Sequence, residues 1–208
     1  MKLYTYIVAR DYGFAPNPFH GFCTLATCKP RIRSVAAVGD WVVGTGAKTK
    51  YNCAGQLVFA TQVSEVMNFD DYWNDPRFLI KRPVLNGSLM QLYGDNIYHR
   101  EGGDWIQANS HHSLDEGYPN RSNIDRDTNR NRILIGTHFV YFGALAPVIP
   151  DKFRPFRSTN EDLCCDGIGY RVHGVQLAVA FERWLKEQGR WGLQGFPLEF
   201  INHPRHQR

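Results

Sequence analysis

Apolar and polar positions alternate along this chain in short blocks, and the blocks predict mostly strands. Leu3 to Ala9 (LYTYIVA) mixes aromatic and β-branched residues in one run, as a buried strand does. Asp40 to Gly46 (DWVVGTG) and Leu57 to Val66 (LVFATQVSEV) predict two more, with Gly44 and Gly46 marking a bulge or a close backbone approach. Leu89 to Tyr93 and Asn96 to Tyr98 flank Gly94-Asp95 and predict a hairpin, continuing into Asp104 to Gln107. The β pattern returns at Ile133 to Ile135 and His138 to Phe142. A period near 3.6 is clearest over Gly174 to Gln188, where Val175, Leu177, Ala178, Phe181, Trp184 and Leu185 share a face and Gly189 closes the helix. Shorter helices are predicted from Pro30, with Ile32, Val35 and Ala36 on one side, and after Asp70-Asp71, interrupted at Pro76.

Two stretches follow neither period. Arg10 to Arg33 is a long connection interleaved with Phe14, Phe19, Phe22, Leu25 and Ile32, too apolar for disorder, so it predicts an ordered loop that walls a site. Ser110 to Arg132 is polar and charged throughout and predicts a mobile loop. Short strands, few helices and one late amphipathic helix give an α+β fold, a strongly bent sheet or small β-barrel with flanking helices. The order of strand, helix-bearing loop, Gly-Asp-initiated strand and strand ending V-x-E-V is similar in pattern to the PUA-like folds, which include readers of modified bases. No repeat or linker divides the 208 residues, so one domain spanning residues 1–208 is expected.

Composition narrows the setting more than the chemistry. At 43% hydrophobic and 21% charged the chain is an ordinary globular one, and its net charge of +4 tolerates a polyanionic partner without requiring one. The five cysteines (Cys23, Cys28, Cys53, Cys164, Cys165) are odd in number and include a vicinal pair, which is no disulfide framework. No apolar run approaches the ~20 residues that cross a bilayer, and MKLYTYIVAR is too short in its apolar part for a signal peptide. The expectation is a reduced, cytoplasmic protein with no membrane contact.

Candidate chemistry gathers in the first loop. Lys29, Arg31 and Arg33, with His20 nearby, form a basic cluster suited to phosphate, against the plainer reading of solvated helix charges. Phe14, Phe19 and Trp41 offer faces for stacking a base, and Asp11 or Asn17 offers its edge a partner; Trp41, followed by Val42 and Val43, fits a core position better. Cys23-x4-Cys28 departs from the usual spacing of zinc ligands, so no metal and no cofactor are expected and both thiols read first as small buried hydrophobes. Cys23 as a nucleophile would need Lys29, Arg31 or His20 beside it. His99, His111, His112 and His138 are candidate acids or bases, and Asp11, Asp95 and Asp115 candidate orienting carboxylates. Triad, Walker, Rossmann and zinc-protease signatures are absent from the sequence.

RDYGFAPNPFHG, CTLATCKPRIR and AAVGDWVVGTG, followed by VFATQVSEVMNFDDYWNDPRF and LYGDNIYH, resemble the nucleotide modification-associated domain family, the second of that name, and more distantly the third. The resemblance covers most of the chain. It implies a setting in phage and bacterial systems that modify or handle DNA bases, with protein partners from a modification or defence system. The expected function is therefore binding of a nucleotide or flipped base, DNA ahead of RNA, through Asn17, Phe19, Lys29, Arg31, Arg33 and Trp41. The alternative is a transferase or hydrolase of base modification using Asp11, His20, Cys23 and His99.

Overall fold

A computed structural model describes residues 1–48, 51–165, 167 and 169–206. In chain order its elements are β1 (Leu3–Val8), β2 (Cys23–Leu25), α1 (Pro30–Val35), β3 (Trp41–Gly46), β4 (Leu57–Gln62), β5 (Glu65–Met67), α2 (Phe69–Asn74) and α3 (Leu89–Leu92). There follow β6 (Tyr98–Glu101), β7 (Asp104–Gln107), α4 (Arg121–Thr128), β8 (Ile133–Gly136), β9 (His138–Tyr141), β10 (Arg171–His173), α5 (Val175–Gln188), β11 (Gly192–Leu193) and α6 (Leu198–Ile201). They divide into two compact units built from interleaved segments. One comprises Met1–Asp11, Ala36–Ser64 and the chain from Gly136 onward; the other comprises Tyr12–Val35 and Glu65–Ile135.

The first unit holds a six-stranded mixed sheet in the order β10-β1-β3-β4-β9-β11 among the described residues. β1 and β3 run parallel, Leu3 opposite Trp41 through Val8 opposite Gly46, and β3-β4 and β4-β9 are antiparallel. The order has two ends, so the sheet is open and not closed into a barrel. Its edges explain this: β10 has three residues and β11 two, too few to carry a ladder around to each other. α5 lays Leu177, Ala178, Phe181, Trp184 and Leu185 on one core with Leu3, Trp41, Val43, Leu57, Ala60 and Val140. It ends at Gly189, whose φ of +62° is the left-handed cap the sequence predicts. Gly44 is required by close packing, since a Cβ there would overlap the Phe59 ring, and the β3-β4 register shifts between Gly44 and Thr45.

The second unit has a three-stranded sheet ordered β2-β8-β5, the β6-β7 hairpin, and α1 to α4. β2 lies inside the long first loop. α2 is capped by Asn68, whose side chain accepts from Asp71 N at 2.8 Å, and Pro76 ends it and opens a 3-10 turn to Lys81. Residues 89–92 are a helix and not the predicted strand, because Ser88 and Gln91 form a reciprocal capping box that outcompetes a short apolar run. The hairpin is therefore β6-β7, turning at Gly102-Gly103 with φ of 57° and 96°. Where the pattern predicts only a polar loop, residues 110–132 contain α4. Asn120 caps it by accepting from Asn123 N at 3.2 Å, and it buries Ile124, Asp127 and Thr128.

Candidate thiol–imidazole–carboxylate site

The chain enters α1 through two residues in an unusual conformation. Cys28 has φ of 55° and Lys29 of 40°, a left-handed pair costing about 1–3 kcal/mol each unless the surroundings hold them. Arg33, one turn into the helix, does the holding. Its Nε donates to Cys28 O at 2.9 Å, one terminal nitrogen donates to Arg130 O and Arg132 O at 3.0 and 2.5 Å, and the other donates to Asp127 O at 2.5 Å. The guanidinium is wholly buried; burial pushes it down to about 10, partly offset by Asp127, so it stays charged near neutrality.

This clamp brings α4 against Cys28. Asp127, fully buried, accepts from Cys28 N at 3.0 Å through Oδ1 and pairs with His112 Nδ1 at 2.8 Å through Oδ2. His112 Nε2 lies 3.8 Å from Cys28 Sγ, a distance at which sulfur still shares a hydrogen bond. Thiol, imidazole and carboxylate thus stand in line. Around them Tyr98 OH donates to Asp127 Oδ2 at 3.1 Å, Gln107 Nε2 donates to Tyr98 OH and His112 O at 3.2 Å each, and Asn123 Nδ2 donates to His112 O at 2.8 Å. Such surrounding bonds fix the ring's orientation.

The electrostatics follow from these contacts. Burial disfavours the His112 cation, but the bonds to Asp127 and Cys28 outweigh it and raise the imidazole to about 9. Burial likewise works against the Asp127 carboxylate, yet His112 and Arg126 hold it below the usual carboxylate range. Burial and the Asp127 charge push the Tyr98 phenol far up, so it remains a donor. Basic and aromatic residues stand nearby. Next to Cys28 in the chain Lys29 is half-buried and Arg31 exposed, and around Asp127 in the chain Asp125, Arg126 and Arg130 are exposed. Phe14 meets His112 edge-on at 4.6 Å, and Tyr12, Tyr93 and His111 cluster beside it at 4.5 to 5.1 Å between centroids.

The residues singled out in the sequence are placed as follows. Arg33 donates to Cys28 O at 2.9 Å, whereas Lys29 and Arg31 are near Cys28 in the chain, one half-buried and the other exposed. Asn17 is buried, accepting from Lys81 Nζ at 2.6 Å, and Phe19 is buried beside it in the chain. Lys81 is enclosed; burial pushes it down to about 8, and Asp95, which accepts from Thr24 at 2.6 Å and Tyr72 at 2.8 Å, is pushed up by burial. Cys23 is buried in β2, and His20 is exposed with φ of 60°. His99 stacks on Trp73 at 4.0 Å and pairs with Glu101 at 3.0 Å. In the first unit, Trp41 is core, and buried Asp11 accepts from Tyr141 OH and from Leu198 N at 3.1 Å. Among the described residues no group of three or more His, Cys, Asp or Glu is arranged to hold a metal ion, and no helix is long and apolar enough to cross a membrane.

Asp127 was not among the predicted carboxylates. Its signal lay in spacing: Ile124, Asp127 and Thr128 stand at i, i+3 and i+4, one helical face, which makes a buried carboxylate legible once α4 is recognised.

The family model described as nucleotide modification associated domain 2 matches residues 1–204. The chain belongs to this family. No curated protein and no solved structure matches it. The family name places the chain in the context of nucleotide modification, and the matched span covers all of the second unit and the first as far as residue 204.

Proposed function

We propose that this nucleotide modification-associated domain is a thiol enzyme acting on a nucleotide or a base in DNA, with Cys28 as nucleophile, His112 as proton carrier and Asp127 as the orienting carboxylate. The observation that carries this is the alignment of Sγ, Nε2, Nδ1 and Oδ2 at 3.8 and 2.8 Å. An oriented imidazole beside a thiol takes its proton and leaves a nucleophilic thiolate paired with imidazolium. Lys29 and Arg31 supply cations for the phosphate, and Tyr12 and His111 supply ring faces for a base, each stack contributing about 1–3 kcal/mol. The aromatic cluster also supports a second reading, in which the domain holds a modified base without turnover, as PUA-like readers do.

Alkylation separates the two. With limiting iodoacetamide, Cys28 is expected to react at least tenfold faster than Cys165, which is similarly half-buried, and His112→Ala should remove the advantage. A panel of nucleotides and DNA oligonucleotides should include one that protects Cys28. Lys29→Ala with Arg31→Ala should weaken that protection about tenfold, ~1.4 kcal/mol, at unchanged melting temperature. Equal reactivity of Cys28 and Cys165, insensitive to His112, would leave only the binding reading.

A further inference from the structure

Two arginines bond to Asp127, and they differ in what they have left to offer. Every nitrogen of the Arg33 guanidinium is spent on backbone carbonyls, those of Cys28, Arg130, Arg132 and Asp127. Arg126 uses only Nε, which donates to Asp127 Oδ1 at 3.2 Å, the same oxygen that accepts from Cys28 N at 3.0 Å. Two donors on one oxygen cannot stand farther apart than the two bonds laid end to end, so this guanidinium lies beside the Cys28 backbone. Its terminal nitrogens make no hydrogen bond among the described residues, and the side chain is 47% exposed. The sulfur is near enough to act on it. Burial works against the Arg126 cation, yet Asp127 and Cys28 outweigh burial and hold it above the ordinary arginine value.

Charge decides what such an arrangement accepts. When the thiol proton has passed to His112, the Cys28 thiolate and the Asp127 carboxylate face the cations of His112, Arg33 and Arg126. One positive charge is left over, and without Arg126 the set would be neutral. His112 and Arg33 are enclosed and bonded, so the surplus is presented to solvent at the exposed fork of Arg126. Resting on the thiol reading above, we infer that Arg126 is a substrate-binding residue of this site and that its ligand is a phosphate close to the atom that sulfur attacks. The substrate is then a nucleotide, free or within a strand, and not a nucleoside or a free base. A guanidinium offers paired N–H groups to two phosphate oxygens, and Nε anchored on Asp127 holds that fork in place. Lys29 and Arg31 are tied to Cys28 by their place in the chain, whereas Arg126 is tied to the site by a bond. It is therefore the cation that sets the distance between phosphate and sulfur.

Two alkylating agents test this before any substrate is known. Iodoacetate and iodoacetamide bring the same carbon to sulfur with loss of iodide, and they differ in that the first carries a carboxylate. The rates at Cys28 are measured in the full chain at about 0.5 M salt, where fields acting beyond roughly 5 Å are largely screened, and only their ratio is read, so that a change in the thiol itself cancels. The wild type should prefer iodoacetate. Arg126→Gln should lower the ratio about tenfold, and Arg126→Lys, which keeps the charge, should lower it less, with the fold of both checked by circular dichroism. The second readout is protection of Cys28 from iodoacetamide by the four deoxynucleosides, their 5′-monophosphates and a short single-stranded oligonucleotide. At least one phosphate-bearing probe should protect at about a tenth of the concentration its nucleoside needs, and Arg126→Gln should erase that gain. Whether the monophosphate or the oligonucleotide protects identifies the source of the phosphate. A ratio that is the same in wild type and Arg126→Gln overturns the inference, as does a preference removed by Lys29→Ala with Arg31→Ala and kept in Arg126→Gln. In both cases His112-dependent alkylation still upholds the thiol reading; its loss would overturn both.

Discussion

At the scale of single residues, His112 makes the sharpest statement about pH. Its folded value of about 9 lies above the ordinary 6.5, so the folded state binds its proton more tightly than the unfolded chain. The stabilisation this provides is complete below pH 6.5, declines as pH rises, and is gone once pH has passed about 9. The shift corresponds to at most about 3 kcal/mol. Lys81 acts in an overlapping window and in the opposite sense: burial lowers it from 10.5 to about 8, so its cost is full below pH 8 and is recovered between about 8 and 10.5. The wild type should therefore be compared with His112→Gln, which retains Lys81. In urea titrations at pH 6, 7.5 and 9.5, the stability difference between them should shrink steadily and level off at the top of the range. A difference that stays flat would mean that His112 is not held as a cation.

At the scale of elements, what decides the site is a short helix read correctly and a polar helix not read at all. Pro30 and Ile32 announced α1, although it buries Ile32 and Arg33 and leaves Val35 exposed, and the Leu177 to Leu185 stripe announced α5, where the buried positions are apolar and repeat at the helical period. α4 buries one large apolar residue, Ile124, beside Asp127 and Thr128, so a pattern built on hydrophobicity reports a loop. The same blindness hid Arg33: a cation that is entirely buried by bonding four carbonyls looks, in sequence, like any surface charge on a helix. Its removal tests the clamp. Arg33→Lys keeps the charge but cannot reach Cys28, Asp127, Arg130 and Arg132 together, and should cost about 3–5 kcal/mol in denaturant unfolding. Cys28 in the folded variant should lose its alkylation advantage, since its left-handed backbone and its approach to His112 both depend on Arg33. An unchanged advantage would show that Cys28 is positioned without it.

At the scale of the whole chain, the two units divide the labour. Every residue named in the triad and in the bonds around it belongs to the second unit, whereas the largest apolar core, with Trp41 and α5, belongs to the first. Phe181→Ala should therefore lower global stability by about 3–5 kcal/mol and leave the alkylation rate of Cys28 in the folded protein unchanged. Slower alkylation in that variant would mean that the first unit shapes the site.

The interleaving has one more consequence. Cys28 meets His112 across 84 positions of sequence and Asp127 across 99, and the second unit is assembled from two segments separated by strands of the first. A nascent chain therefore carries Cys28 as an ordinary thiol until β8 has been synthesised and both segments have met. On the proposed thiol reading, reactivity at this one sulfur reports maturation: pulse-alkylation during refolding should show its rate rising late, in a single step, when the last partner arrives.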